Sequence, residues 1–184
     1  VHRLGRFTSG ILICARKKET RANLSKLFHN NLSSSSSFRR VYLALAKHNP
    51  SLQVGQSIEI QTPISKCFHP YLGEIWNIQN NENQETNLKA YTHINLIEKR
   101  KYCDLLKITI YTGRPHQIRI HLASIGTPLI GDQVYKANGQ FSSCSTPGDG
   151  GYFLHAHQLL NIPINDKLCS FEALIPEILK SSIN

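Results

Sequence analysis

An α+β fold, built on a mixed, mainly antiparallel sheet with a few short helices, is what this sequence predicts. Three observations carry that expectation. Short runs rich in Ile, Val, Tyr and Thr recur along the chain, only two longer segments show helical periodicity, and strands and helices do not alternate as a parallel sheet requires. With 184 residues, 40% of them apolar, the chain is long enough for one core, so residues 1–184 are read as one domain.

The elements follow in order. Ser9–Ala15 is a short apolar run that suits a buried strand. Over 17–30, Leu24, Leu27, Phe28 and Leu32 repeat at helical spacing while Lys17, Lys18 and Arg21 lie off that stripe, which predicts an amphipathic helix. Five consecutive serines at 33–37 cannot build a core and mark a loop. Arg39–Lys47 alternates, with Val41, Leu43 and Leu45 on one face and Tyr42, Ala44 and Ala46 on the other, as a strand does. Residues 57–60, 90–97 and 105–111 are further strands, and the polar stretch 80–87 is a loop. Pro115 suits a first helical position and Gly126 a C-terminal cap, which predicts a short helix over 115–125. Strands over 153–164 and 168–175 and a helical turn after Pro176 close the chain.

Charge narrows the function. Lys and Arg number 21 against 12 Asp and Glu, a formal charge of +9. Residues 1–50 hold ten of the basic residues and one acid, Glu19, while the remainder sums to zero. So localised a field points to an anionic partner, nucleic acid first. No apolar run approaches the roughly 18–20 residues that span a bilayer, which argues against a membrane helix. The five cysteines are spaced too widely for a zinc knuckle or a disulfide framework; Cys14 and Cys169 are expected as core thiols in a reducing, intracellular compartment, cytoplasmic or organellar. The chain has no Met and Val1 opens directly on a motif, so it reads as N-terminally incomplete.

Two segments look chemically purposeful. His2–Gly10 (HRLGRFTSG) is a cationic, glycine-punctuated turn entering a strand. Thr112–His121 (TGRPHQIRIH) gathers Arg and His around a helix N-terminus, where free N–H groups favour anions. The residues alone leave two readings open, an anion-binding site or two ordinary solvated loops. His116 and His121, five apart, diverge by about 140° on a helix and so do not converge on a metal. His155 and His157 share a strand face, but with no third ligand they read as structural.

These motifs resemble the RluA-type RNA pseudouridine synthases. Residues 2–10 are similar to the family's H-R-L-D-R-x-T-S-G segment in all fixed positions but one, and 113–135 to its G-R-x-H-Q-I-R-x-H-L-A-x-x-G-x-P-L-x-G-D-x-x-Y run. Arg40–Ala44 and Leu154–His157 resemble its strand and closing motifs, and PGDGGYFLHAHQ, residues 147–158, resembles plant and cyanobacterial branches that also read H-R-L-G-R. The resemblance implies uridine isomerisation in RNA (tRNA or rRNA) by a monomer with no cofactor and no metal. It also assigns roles: Tyr42 packs on the target uracil and helps a proton leave C5, Arg119 orients the catalytic carboxylate, Ile118 is the apolar wall, and Arg3, Arg6, Arg114, His116 and Gln117 lie near the nucleotide.

One departure is serious. Gly5 stands where the family has its catalytic Asp, and glycine is neither nucleophile nor base. Asp104, Asp132 and Asp149 are the in-chain carboxylates nearest the motifs, with Asp132 expected as a turn residue. A non-catalytic RNA-binding descendant is the alternative. Without its acid, Arg119 is expected to be an uncompensated cation that takes RNA phosphate, another anion or a relocated carboxylate.

Overall fold

The computed structural model describes residues 1–29, 37–78, 87–145, 150–165 and 167–181. Leu32, Asp149 and most of the expected serine and Asn-rich loops lie outside these residues. Nine strands and two α-helices are described, in the order β1 (Thr8–Gly10), α1 (Lys18–His29), β2 (Arg39–Ala46), β3 (Ser57–Ile60), β4 (Ile64–His69), β5 (Gly73–Ile78), β6 (Thr92–Lys99), β7 (Asp104–Ile110), α2 (Gln117–Ser124), β8 (Leu154–Ile164) and β9 (Lys167–Glu172). The expected α+β class and mixed sheet are found.

The main sheet runs β1-β8-β2-β7-β6-β3, with β9 also on β8. β1 is parallel to β8, and the other pairs are antiparallel. The eleven-residue β8 serves three partners: β1 along Leu154–Ala156, β9 along 158–164, and β2 on its other edge. Ile118 and Leu122 of α2 pack on Ile94, Leu96, Leu106, Ile108 and Ile110 of β6 and β7, forming the largest apolar cluster. Leu24 and Phe28 of α1 meet Phe38, Leu159 and Ile162 in a second.

Three elements differ from expectation. The strand foreseen over 9–15 is short, because Gly10 (φ +105°) turns the chain away from β8. A Cβ there would lie 2.2 Å from the Ala156 carbonyl oxygen, so only glycine fits. Beyond it Ile11, Ile13 and Ala15 still face the α1 cluster while Leu12 and Cys14 face solvent, so Cys14 is not a core thiol. Cys169 is only partly buried. The second helix starts at Gln117, not Pro115, because His116 sits in the left-handed region (φ 55°) and breaks the helical run. The third difference is an unforeseen hairpin, β4–β5, separate from the main sheet. Its Ile64, Trp76 and Ile78 pack with Ile120 and Ala123 on the side of α2 away from the sheet.

Candidate active site

The centre of the site is set by the middle of the sheet. Tyr42 lies on β2, flanked by Ile108 of β7 and Ala156 of β8. The ladder between β2 and β8 slips at Val41/Tyr42, where β8 carries one extra residue. Such a bulge twists the strand locally and re-aims side chains. Tyr42 reaches the wall of a cavity of about 960 Å³ that also takes in Gly5, Arg114, Ile118 and Arg119. Burial pushes its phenol above the ordinary value, and the charge of Arg40 opposes that.

The N-terminus of α2 is fixed by a polar network that leaves no donor spare. Gln117 Oε1 accepts from the Thr112 hydroxyl (2.7 Å) and the Arg114 N–H (3.0 Å), while its Nε2 donates to Tyr91 O (3.0 Å) and Thr92 Oγ1 (2.9 Å). Thr92 passes its own proton to His121 Nδ1 (2.8 Å), and His121 Nε2 donates to Thr62 O (2.9 Å). Burial holds His121 neutral, with its pKa pushed down to about 4. Gln117 therefore touches the cavity, but its amide serves α2 and not a ligand.

His116 is fixed in the same way. Tyr135 donates its O–H to Trp76 O (2.7 Å), so the 2.7 Å contact between His116 Nδ1 and Tyr135 Oη has the imidazole as donor. Nε2 is then the unprotonated nitrogen. Burial, with Arg119 nearby, pushes this pKa down to about 4, so His116 faces the cavity as a neutral ring.

Arg119 is not uncompensated. Nε meets Asp132 Oδ2 at 2.6 Å and Nη2 meets Oδ1 at 2.8 Å, a bidentate pair almost entirely removed from solvent. Its guanidinium carbon also lies 4.7 Å from the ring centroids of both Tyr135 and Tyr152. Burial works against the charged form, but Asp132 outweighs it and the Arg119 pKa is raised. Among the described residues the partner of Arg119 is therefore a carboxylate, that of Asp132. Asp132 remains a turn residue too, because its Oδ1 accepts the N–H groups of Val134 and Tyr135. With both oxygens engaged, it does not line the cavity. Asp104 is elsewhere, fully buried and held by His48 Nδ1 and the Asn49 N–H.

The Gly5 wall is closed by an aromatic ring. A Cβ at position 5 would lie 2.5 Å from Tyr152 Oη and 3.1 Å from Thr8 Oγ1. Tyr152 is 8% exposed and packs edge-on against Phe7. At the opposite end, Arg40 is buried, with its guanidinium against the rings of Phe28 and Phe38. Burial lowers its pKa, Tyr42 opposes that, and Arg114 adds to it.

Of the residues expected near a nucleotide, Arg3, Arg114, His116, Gln117 and Ile118 converge on the cavity, and Arg6 does not. Its exposed guanidinium lies over Phe7 instead. The described lining holds Arg3, Arg21, Arg40, Arg114 and Arg119 and no acidic side chain. Tyr152 and Trp76 are among the lining residues that sequence reasoning missed. Tyr152 stood inside the PGDGGYFLHAHQ motif and was legible there, whereas Trp76 arrives on the unforeseen hairpin. No group of three His, Cys, Asp or Glu that could hold a metal occurs among the described residues. Nor is any described helix long and apolar enough to cross a membrane.

Comparison with known proteins agrees with this fold. Residues 1–124 match the family described as RNA pseudouridylate synthase. RNA pseudouridine synthase 5 of Arabidopsis thaliana is 33% identical across 98% of this chain and 58% of its own length. Ribosomal large subunit pseudouridine synthase D of Nitrosomonas europaea is 32% identical across 96% of this chain and 48% of its own. The chain thus spans about half the length of these curated relatives. The fold is that of human RNA Pseudouridylate Synthase Domain Containing 1, with a TM-score of 0.70 at 22% identity over 97% of this chain and 70% of the human one. On the match to two thirds of its length, the chain belongs to the RNA pseudouridylate synthase family.

Proposed function

We propose that this domain isomerises uridine to pseudouridine in RNA, tRNA or rRNA, as a monomer and without cofactor or metal. The observation that carries the reading is the convergence of Tyr42, Ile118 and Arg119 on one cavity of about 960 Å³, whose described lining is rich in arginine and holds no acid. Ligand pockets fall at roughly 300–1,000 Å³, so a nucleotide turned out of its stack fits. In this reading Tyr42 stacks on the uracil and helps remove the C5 proton, and Ile118 forms the apolar wall. Arg119, clamped by Asp132, stabilises charge on the departing base. Arg3 and Arg114 meet the RNA backbone, and the exposed basic side chains of α1 add attraction without sequence preference.

Gly5 favours a second reading, an RNA-binding protein that modifies nothing. Pseudouridine-specific chemical mapping of RNA from cells with and without the gene separates the two when combined with purified protein on the same RNA. A site lost in the cells and formed by the protein supports isomerisation. RNA that binds with no such site supports the second reading.

A further inference from the structure

Tyr152 carries an inference that rests on the isomerase reading and deepens it. Its hydroxyl lines the cavity beside Gly5, in the space a side chain at position 5 would occupy. Among the described residues that hydroxyl has no hydrogen-bond partner, although the ring is 8% exposed. The oxygen is not among the buried unpartnered atoms: it opens on the cavity, where a bound ligand can take the hydrogen bond that no described residue takes. Its ring lies under the Arg119 guanidinium, which Asp132 holds in place. Of the three carboxylates nearest the motifs, the two that lie among the described residues are committed: Asp132 to Arg119 and two backbone N–H groups, Asp104 to His48 and Asn49. His116 presents its unprotonated nitrogen, and its one ring proton is committed to Tyr135.

The reaction sets the demand. Uridine and pseudouridine are isomers: the N1–C1′ bond breaks, a C5–C1′ bond forms, C5 loses a proton and N1 gains one. We propose that Tyr152 is the proton donor to the departing uracil. As the N1–C1′ bond breaks and its electron pair stays on the base, the Tyr152 O–H bond breaks and the proton passes to the N1 side of the ring. The phenolate is left beneath the positive charge of Arg119. When C5 bonds to C1′, the C5 proton returns to the Tyr152 oxygen, through Tyr42, and the enzyme is regenerated. Atoms and charge balance without an external oxidant or base. Gly5 and Tyr152 are then two halves of one arrangement, because the phenol can stand there only while position 5 has no side chain.

The test is Tyr152→Phe, which removes one oxygen and keeps the ring. The substrate is an unmodified transcript of the mapped RNA carrying 5-tritiated uridine, read by tritium release in a single turnover. General acid catalysis contributes about 100- to 10,000-fold, so the rate should fall at least about 100-fold. The dissociation constant for the same transcript should stay within about threefold and the melting temperature should be unchanged. A Tyr152→Phe rate within about threefold of wild type overturns the proposal and leaves the isomerase reading standing. A rate loss matched by an equal loss of RNA affinity also overturns it. Wild-type protein that releases no tritium overturns the isomerase reading itself, and this proposal with it.

Discussion

Arg119 on α2 and Asp132 in the loop after it form a two-point ion pair, at 2.6 and 2.8 Å, at the edge of the cavity. The pair substitutes for a position-5 carboxylate electrostatically but not chemically. It keeps the guanidinium charged and oriented while offering no free oxygen to a substrate.

Asp132→Asn should therefore damage both stability and function. Removing one partner of a buried pair leaves the other charge unpaired and typically costs about 3–5 kcal/mol. Urea unfolding should show that loss, and the RNA affinity of the surviving folded protein should change far less than its turnover. A loss under about 1 kcal/mol would mean that solvent reaches Arg119 freely.

Gly5 and Tyr152 should behave as a coupled pair. The backbone at Gly5 is outside the left-handed region, so the obstacles to a side chain there are Tyr152 Oη at 2.5 Å and, less tightly, Thr8 Oγ1 at 3.1 Å. Gly5→Ala should cost about 1–3 kcal/mol in the wild-type background, as overpacking does, and much less beside Tyr152→Ala. Gly5→Asp follows the same rule: alone it collides with the phenol, and an acid can occupy position 5 only beside a shortened residue 152. Additive effects in the thermal-unfolding cycle would refute the coupling.

Gln117→Leu preserves volume but strands the Thr112 hydroxyl proton and the Arg114 N–H, while the Tyr91 carbonyl keeps the Tyr111 N–H. Unsatisfied buried groups cost about 1–3 kcal/mol each, so a total loss near 3 kcal/mol is expected after partial relaxation. Amide exchange should accelerate first at the start of α2.

Stability should decline on mild acidification. His2, His116 and His121 each have a folded pKa near 4, lowered by burial from 6.5. Between those values the unfolded chain binds protons that the folded one refuses. Stability is thus complete above about pH 6.5 and falls as the pH drops toward 4. His121, fully buried, accounts for up to about 3 kcal/mol of this. Urea midpoints at pH 7.5 and 5.0 measure the slope, which His121→Asn should flatten.

RNA affinity should depend steeply on salt. If about six phosphates are neutralised on a single strand, log K against log salt should slope near −4. Arg3→Ala and Arg114→Ala should each reduce the slope by about 0.7, whereas Arg6→Ala, outside the cavity, should matter less.

Much of this was legible in the sequence, for physical reasons. The Val41/Leu43/Leu45 alternation fixed β2, and the Leu24/Phe28 spacing fixed α1, because local burial periodicity decides both. The motifs placed Tyr42, Ile118 and Arg119 together. What stayed hidden was long-range or idiosyncratic. The β4–β5 hairpin reads as charged and polar, with Lys66, Phe68 and Glu74 exposed, so its alternation was weak. The start of α2 moved by two residues because His116, hydrogen-bonded to Tyr135 nineteen positions away, sits in the left-handed region and not in the helical one. Asp132 could be read as a turn residue but not as the partner of Arg119, since only the fold brings the loop back onto the helix.

The parallel pairing of β1 with β8 also sets a schedule. Ser9 and His155 are neighbours separated by 146 positions of chain. A ribosome adds roughly 5–20 residues per second, so about 7–30 s pass between the synthesis of the first motif and of the strand that anchors it. Through that interval the most basic segment of the protein has emerged without its cavity. On the proposed function, it can attract RNA by charge alone, with selective recognition beginning only once β8 has been made.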